Sequence, residues 1–379
     1  MVSVWIEGVG FSFARITVRM MTVPAINSTA AILTILRMSM HSTPTIDKKT
    51  WNSLVHHPMQ SWEWGEVKKR VGTPIVRYAY VEDENPTAFL MTMHPVPLLG
   101  VMAYCGRSAW PTNKQAQGIY TYLREKGCMM AKFEPALVTE EAGKYQIPLL
   151  NRSFTIDHIR YTQSRSTIFA PHTFTLNLAF TKEELLSHMK SKTRYNIGLA
   201  TRKGVVVRDT TEEPKSLEEF FDLYRQTSTR QRYFGRNRDY MKTLWDELGG
   251  TMARIYTAYY QGMPLSSYMI FYFKQGAYYV YGGSSAQHKE VMASNLLMWE
   301  AILDAKKRGC TEFDMWGALP LQHNPHNPWA GFHRFKEGFG GRHRTFIPAL
   351  DMVLDPFKYW LFDVGWPIRN ALLGITSRL

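Results

Sequence analysis

Two stretches of the chain carry the same order of hydrophobic patterns: three strand-like runs, one helical run and a fourth strand-like run. In the second stretch the first three runs are rich in Tyr, Ile and Phe, are separated by Gln-Gly turn signals, and cover 253–260, 265–273 and 277–282. Apolar residues then recur at helical spacing from Ser294, the predicted N-cap, and a last strand covers 310–316. This pattern predicts a meander followed by a helix and a strand.

The first stretch predicts the same elements in the same order. Its strands are expected at 75–81, 88–94 and 100–104, its helix at 114–126 and its last strand at 128–133. The junction before the last strand also recurs, because it reads Lys-Gly-Cys here and Arg-Gly-Cys in the second stretch. Five elements in matching order indicate two copies of one α/β unit.

Strand–strand–strand–helix–strand is the core order of the GNAT acyltransferase fold. The predicted fold class is therefore α/β (α+β), with two tandem GNAT-like acyltransferase domains, each a mixed sheet flanked by helices. An ordinary acetyltransferase carries a glycine-rich loop before the core helix, where backbone N–H groups hold the CoA pyrophosphate. Residues 288–294 occupy that position without a glycine. CoA is therefore disfavoured as the donor, and no cofactor is predicted.

Composition and charge narrow the class of protein. The 379 residues exceed one ordinary domain, and 45% hydrophobic with 13% aromatic residues indicates a globular chain. A net charge of +13 suits an anionic partner, such as RNA, a pyrophosphate-linked substrate or an acidic membrane face. The three cysteines have no paired spacing, which disfavours a disulfide framework or a zinc site, and no metal site is predicted.

Basic and aromatic residues are interleaved between the two units. One run covers 190–204, after a helix that begins with capping-box spacing at Thr181, and a second run covers 224–242. Contact with a nucleic-acid backbone, combined with stacking on bases, requires this mixture. A solvated basic helix face accounts for the same pattern equally well.

The segment 331–341 gathers cations, aromatic rings and four glycines. Glycine permits a close backbone approach or a positive φ angle. A lysine held beside such a turn can meet a developing negative charge. Two interpretations stay open, a basic surface hairpin and an active-site segment around Lys336.

Five ordered motifs cover 192–205, 281–285, 295–301, 313–317 and 334–341. Together they resemble the motifs of the Fem (FemABX) family of peptidoglycan-bridge aminoacyltransferases. The resemblance runs from about Trp51 to the C-terminus. The segment between Gly204 and Arg254 lacks a sustained heptad, so the chain resembles the compact, FemX-like type (lipid II:glycine glycyltransferase-like).

The resemblance implies a fold, a reaction and its partners. Two GNAT-like domains are expected, the first completed by C-terminal residues. The reaction is transfer of an amino acid from aminoacyl-tRNA to an amino group on the stem peptide of a UDP-linked or lipid-linked peptidoglycan precursor. Use of aminoacyl-tRNA implies a cytoplasmic location, with peripheral contact at the inner face of the membrane left open. A monomer is expected.

The resemblance also assigns roles to individual residues. Phe335 and Lys336 match the catalytic Phe-Lys pair of the family, and the basic run supplies candidates for tRNA contact. The implied substrate-binding residues are Lys68, Tyr104, Arg236, Tyr240 and Tyr281, with Tyr279 as the weaker choice for the last, and the tRNA-contact candidates are Lys192, Arg194, Arg202 and Lys203.

Arg236 and Tyr240 are four residues apart and are expected on one helical face. The substrate loop of the first unit departs from the family pattern, because it keeps Tyr104 and the cation Arg107 but has no acidic residue within 104–112. That departure leaves the attachment point on the precursor open.

The implied chemistry is attack by an amine on the ester that links the amino acid to tRNA. Lys336 would stabilise the oxyanion or the leaving oxygen, or alternatively position a phosphate without a role in the transition state. The general base is open between Asp314 and the substrate itself. Two other functions stay open: a GNAT-like N-acyltransferase for another glycan or peptide with a different donor, and a non-catalytic RNA-binding module.

The ends of the chain differ from the rest. Met38 or Met40 is predicted as the true start, and the apolar run 360–366 is expected to complete the core of the first domain rather than to contact a membrane. The predicted organisation is a non-native or disordered extension at 1–44, a precursor-binding domain at 45–172 plus 345–379, and a domain for aminoacyl-tRNA and the catalytic lysine at 173–344.

Overall fold

Two seven-stranded mixed sheets flanked by helices organise the chain. The computed structural model describes residues 46–80, 86–145, 147–231 and 233–365. The predicted α/β (α+β) class with two GNAT-like units is confirmed. The predicted extension at 1–44 lies outside the described residues, and the domain boundaries stay a prediction.

The described residues contain fourteen strands. In chain order they are β1 (Ile75–Tyr80), β2 (Thr87–Val96), β3 (Gly100–Gly106), β4 (Cys128–Glu134), β5 (Ser153–Ile156), β6 (Ile159–Gln163), β7 (His172–Asn177), β8 (Val206–Asp209), β9 (Ala253–Tyr260), β10 (Met263–Phe273), β11 (Gly276–Ser284), β12 (Glu312–Asp314), β13 (Arg342–Thr345) and β14 (Leu350–Val353).

The order of strands shows how the chain crosses between the sheets. The first sheet runs β1-β2-β3-β4-β14-β6-β5, and the second runs β13-β7-β12-β11-β10-β9-β8. Strand β14 pairs antiparallel with both β4 and β6. After forming the second sheet, the chain therefore returns to the first sheet.

Helices cover the faces of both sheets. The α-helices are α1 (Lys48–Leu54), α2 (Trp62–Arg70), α3 (Asn113–Glu125), α4 (Lys182–His188), α5 (Ser191–Arg202), α6 (Ser216–Gln231), α7 (Arg238–Leu248), α8 (Ala293–Lys307), α9 (Ala330–Glu337) and α10 (356–365), with 3₁₀ turns at Pro58–Gln60, Thr139–Tyr145 and Lys289–Val291.

Helix starts show how local sequence places these elements. Thr181 caps α4 through the predicted capping box, in which its hydroxyl accepts from the Glu184 N–H and the Glu184 carboxylate accepts from the Thr181 N–H. The predicted cap at Ser294 is wrong, because α8 follows Met292 in a left-handed conformation (φ 55°) without a side-chain cap. The Ser294 hydroxyl instead donates to Ser266 Oγ at 3.0 Å.

The two units differ at their central parallel pair of strands. In the first sheet β3 and β4 stay paired from Val101 to Gly106. In the second sheet β11 and β12 pair only as far as Tyr278 and Asp314, so the strand predicted at 310–316 is shorter than expected. Beyond Asp314 the two strands separate, and a gap opens in the middle of the second sheet at this end of the strands.

A shared hydrophobic cluster joins the units beside this opening. Trp64 on α2 and Phe271 on β10 belong to it, with ring centroids 6.5 Å apart. Met241 and Leu244 on α7 are fully buried in the same cluster. The packing of α2 against α7 brings side chains of the first unit near the opening in the second.

The C-terminal helix only partly matches its expected role. Tyr359 is buried, and Phe362 packs against the same small cluster beside β4 and β14. Within the run predicted to complete the core, however, Trp360 and Val364 are exposed. The expectation is therefore wrong for the outer face of α10, and Trp366 lies outside the described residues.

Candidate active site

A cavity of about 390 Å³ lies where β11 and β12 separate. Helix α6, the end of β11, the loop after β12 and helix α9 form its walls. Five of the residues named from sequence line it: Arg236, Tyr279, Tyr281, Phe335 and Lys336. The strand opening therefore brings these five side chains to one place.

A β-bulge at Val280 shapes one wall. Met269 pairs with Tyr281 and Ile270 pairs with Tyr279, which leaves Val280 as the extra residue. Consecutive residues of β10 face opposite sides of the sheet, so the bulge directs Tyr279 and Tyr281 to opposite sides as well. Alternation along an unbroken strand would place both tyrosines on one face. Because of the bulge, Tyr279 and Tyr281 instead line the cavity from opposite sides of the sheet.

Glycine allows α6 to lie directly against β11. A Cβ atom at Gly283 would lie 2.2 Å from the backbone N of Tyr224, which is closer than any side chain permits. The Ser284 N–H donates to Thr227 Oγ1 at 2.8 Å, and Arg230 donates to the Ser284 carbonyl at 3.0 Å. This contact fixes the wall of the cavity formed by α6.

Lys336 is on helix α9 and is buried, with 1% of its surface exposed. The surface-hairpin interpretation is therefore wrong. Its Nζ atom donates to the carbonyls of Trp316 and Gly317, the latter at 2.8 Å, and lies 3.9 Å from the centroid of the Phe332 ring. An ammonium has three N–H groups, so among the described residues two are engaged by carbonyls and a third can face the cavity.

The loop after β12 holds those carbonyls in place. Trp316 and Gly317 both have left-handed backbones, with φ angles of 53° and 59°, a conformation that costs a non-glycine residue roughly 1–2 kcal/mol. Asp314 Oδ1 supports it by accepting from the Trp316 N–H at 2.7 Å and from the Thr173 hydroxyl at 2.5 Å. Thr173 on β7 therefore acts on Lys336 through Asp314 and the loop.

Asp314 has the geometry of a positioning residue. It is 7% exposed and is not among the described residues that line the cavity. Its carboxylate already accepts the two hydrogen bonds from Thr173 and Trp316. The structure therefore favours this role over the predicted alternative of a general base.

Burial shifts the pKa values of both Lys336 and Asp314. Burial lowers the pKa of Lys336 well below its usual value, and the nearby Asp314 carboxylate opposes that shift. Burial also raises the pKa of Asp314, opposed by the hydrogen bonds from Thr173 and Trp316. Lys336 therefore exchanges its proton at a lower pH than a surface lysine does.

A second group of cations lies between the two units. The Arg236 guanidinium lies 4.3 Å from the centroid of the Tyr240 ring, and Lys68 Nζ lies 5.8 Å from the same ring and 4.3 Å from that of Trp64. Arg236 precedes α7, which begins at Arg238, so the expectation of one helical face is wrong although the predicted neighbours are in contact. We name Lys68, Arg236 and Tyr240 the cation cluster.

Tyr104 adjoins this region and contacts an acidic residue. Its hydroxyl donates to Glu134 Oε2 at 3.1 Å, and Glu134 also accepts from the backbone N–H of Phe169 at 2.8 Å. An acidic residue from outside 104–112, at the end of β4, therefore lies beside Tyr104. Arg107 is buried against the Phe346 ring at 3.7 Å.

The predicted tRNA-contact residues lie on or directly after α5, next to the end of α9. Lys192, Arg202 and Lys203 are exposed. The Arg194 guanidinium donates to the carbonyls of Leu186 and Ser187 at the end of α4, so it has a local structural role. None of the four lines the cavity among the described residues.

Two histidines that sequence reasoning missed hold the loop further along. The Leu319 N–H donates to His333 Nδ1 at 3.2 Å, and the Leu319 carbonyl accepts from His343 Nε2 at 2.9 Å. Burial lowers the pKa of His333 to about 4, which keeps its Nδ1 available as an acceptor. A His three residues before Lys336 is the only sequence signal, and it does not indicate a partner.

The described part of the chain lacks both a metal-binding cluster and a membrane-spanning helix. No set of three His, Cys, Asp or Glu residues there is arranged to hold a metal ion. No helix there has the length and apolar character needed to cross a membrane.

Comparison with known proteins supports a fold built from GNAT-like units. The model of the acetyltransferase (GNAT) domain family matches residues 187–328. The crystal structure of FemX superposes with a TM-score of 0.71 at 15% identity, over 84% of this chain and 98% of that chain.

Similar curated proteins are named as aminoacyltransferases. The aminoacyltransferase FemB of Staphylococcus epidermidis is 21% identical over 414 aligned residues, covering 86% of this chain and 98% of the relative. FemB from the S. epidermidis strain ATCC 12228 matches to the same extent. These similarities support the FemABX resemblance that the sequence motifs indicate.

Proposed function

We propose that this chain moves an amino acid from aminoacyl-tRNA to the stem peptide of a peptidoglycan precursor and so builds the interpeptide bridge. The observation that carries the proposal is the buried amine of Lys336, held by two backbone carbonyls at the wall of an aromatic cavity. A buried cation at this place suits a reaction that develops negative charge on oxygen.

The reaction forms one bond and breaks another. The amine of the acceptor attacks the ester carbonyl, a C–N bond forms, and the carbonyl oxygen becomes an oxyanion. Collapse of this intermediate breaks the C–O bond to the ribose, and the proton lost by the amine ends on the ribose hydroxyl. Lys336 donates its third N–H to the oxyanion or to the departing oxygen, and Phe335 forms the adjoining wall.

A lowered pKa suits Lys336 to this work. A group that gives a proton to the leaving oxygen must be able to regain it near the working pH. The substrate amine supplies that proton, so no protein base is required. Removing one donor of this kind typically costs about a hundred- to a thousandfold in rate.

The cation cluster supports an anionic acceptor. Lys68 and Arg236 are two cations from different units beside the Tyr240 ring, and they suit the phosphates that link the stem peptide to its UDP or lipid carrier. Tyr281 and Tyr104 complete the predicted acceptor side. Precursor would therefore bind between the units and direct its stem peptide toward Lys336.

The donor is expected on the side of α5. Exposed Lys192, Arg202 and Lys203 suit the phosphates of tRNA, and the ester end of the tRNA enters the cavity. Use of aminoacyl-tRNA implies a cytoplasmic location. One chain contains both groups of residues, which fits a monomer.

Transfer with purified components tests the proposal. The protein is incubated with total tRNA charged with amino acids and with either the UDP-linked or the lipid-linked precursor. A gain of one or more amino-acid residue masses on the stem peptide, dependent on charged tRNA, is expected. Transfer from acyl-CoA without tRNA would support the GNAT-like alternative, and salt-sensitive tRNA binding without transfer would support an RNA-binding module.

A further inference from the structure

Helix α10 presents apolar residues to solvent. Phe357, Trp360, Leu361 and Val364 are 68%, 57%, 37% and 47% exposed, and their spacing of three, four and seven residues places them on one face of a helix. The Phe357 and Trp360 rings stack with centroids 6.4 Å apart. A surface helix of a globular protein normally buries such a stripe.

Ion pairs hold α10 against the protein. Asp363 is half-buried and pairs with Arg152 at 3.0 Å and with Arg165. Lys358 pairs with Asp355, directly before the helix, at 3.3 Å. Tyr359 and Phe362 already face the protein, so the helix has a second apolar face, and the ion pairs of Asp363 keep that face outward.

Neighbouring residues extend the face and give it a positive rim. Leu98 is fully exposed at the turn between β2 and β3, and its neighbour Leu99 packs against the cluster that contains Tyr359. In the ion pairs at α10, the three cations Arg152, Arg165 and Lys358 pair with only two carboxylates, Asp355 and Asp363, which leaves one net positive charge.

We propose that this face of α10 docks on an anionic lipid surface. Interfacial helices insert Trp, Phe and Leu at the boundary of headgroups and acyl chains, while cations contact anionic headgroups. A second copy of the chain fits less well, because a stable dimer interface uses about 20–30 residues a side and the described part of α10 has ten. If the proposed function holds, docking favours the lipid-linked precursor as the acceptor.

Vesicle flotation of the full chain tests the docking. The protein is mixed at low salt with vesicles of phosphatidylcholine, with or without phosphatidylglycerol. It should float with the anionic vesicles, and added salt should release part of it. The double variant Phe357→Ser/Trp360→Ser should lower the bound fraction at least about tenfold, since it removes two large apolar contacts.

Controls separate docking from misfolding and from other hydrophobic surfaces. Val206→Ser/Met263→Ser changes two exposed apolar residues of the second sheet and should leave flotation unchanged. Leu361→Ser/Val364→Ser provides an independent change of the same face. Circular dichroism and melting temperature check that each variant is folded.

Each outcome decides the proposal. Failure of the natural protein to float, or equal flotation of a folded double variant, overturns it. A dimer in sedimentation velocity that dissociates in the double variant, without flotation, assigns the face to a second copy and also overturns it. Because the vesicles contain no precursor and no tRNA, the result is independent of the transfer reaction, and the double variant should still use a soluble UDP-linked acceptor normally.

Discussion

Thr173→Val tests whether the loop that holds Lys336 depends on a buried hydrogen bond. Thr173 is 1% exposed, and its hydroxyl donates to Asp314 Oδ1 at 2.5 Å. Valine keeps the branched shape but removes the donor. Hydrogen bonds to charged groups contribute about 1.5–3 kcal/mol, so we expect a loss of about 2 kcal/mol and a fall in Tm of roughly 4–8 °C.

The loss should depend on pH in a defined direction. The Thr173 hydroxyl lowers the pKa of Asp314 against the effect of burial, so its removal raises that pKa further. Removal of this hydrogen bond costs the charged Asp314 carboxylate more stabilisation than the neutral carboxyl. The destabilisation should therefore be largest above the pKa of Asp314 and shrink as pH falls through it.

Denaturant unfolding across pH and steady-state transfer kinetics measure these effects. If Asp314 orders the Trp316–Gly317 carbonyls, kcat should fall while the KM for precursor changes little. Thr243→Val is a matched control, because its hydroxyl donates to a backbone carbonyl on the exposed surface of α7. A stability change within about 0.5 kcal/mol at all pH values, together with unchanged kcat, would refute the reasoning.

Three further outcomes are expected. Burial lowers the pKa of Lys336, so the alkaline limb of a pH–rate profile should lie well below the usual lysine range. A limb near pH 10.5 would contradict a role for the buried Lys336 ammonium in the reaction. Gly283→Ala should cost about 1–3 kcal/mol or more by overpacking, measured by denaturant unfolding, whereas Gly143→Ala, with no atom within 4 Å of its Cβ position, should be nearly neutral. Arg236→Ala should raise the KM for precursor with kcat less affected. An equal rise in KM for Arg225→Ala, which changes an exposed arginine, would contradict a specific role of Arg236 in precursor binding.

The spacing of hydrophobic residues predicted most of the fold, because burial of one face of a strand or helix imposes that spacing directly. Strands β9 to β11 begin and end within a few residues of the runs expected from alternating and aromatic patterns. Separation of the second parallel pair was not predictable, because it depends on where β12 stops pairing after Asp314. The bulge at Val280 was also missed, because β11 carries apolar and aromatic residues on both faces and its pattern does not fix the register.

Local glycine content misled the interpretation of the Lys336 segment. Gly338 and Gly340 suggested a hairpin, but they end helix α9, and Gly340 takes a φ of 76° where a Cβ would lie 2.3 Å from the His188 carbonyl. Sequence alone also could not show that Asp314 and Thr173 meet. Those residues are far apart in the chain and join only when β12 pairs with β7.

The central claim is that Lys336 serves acyl transfer from aminoacyl-tRNA. The most direct measurement is the mass of the precursor stem peptide after incubation with charged tRNA, for the natural protein, Lys336→Met and the exposed-lysine control Lys114→Met. We expect added amino-acid mass with the natural protein and the control, and none with Lys336→Met although it still binds precursor. Near-normal turnover by a folded Lys336→Met variant would contradict the account.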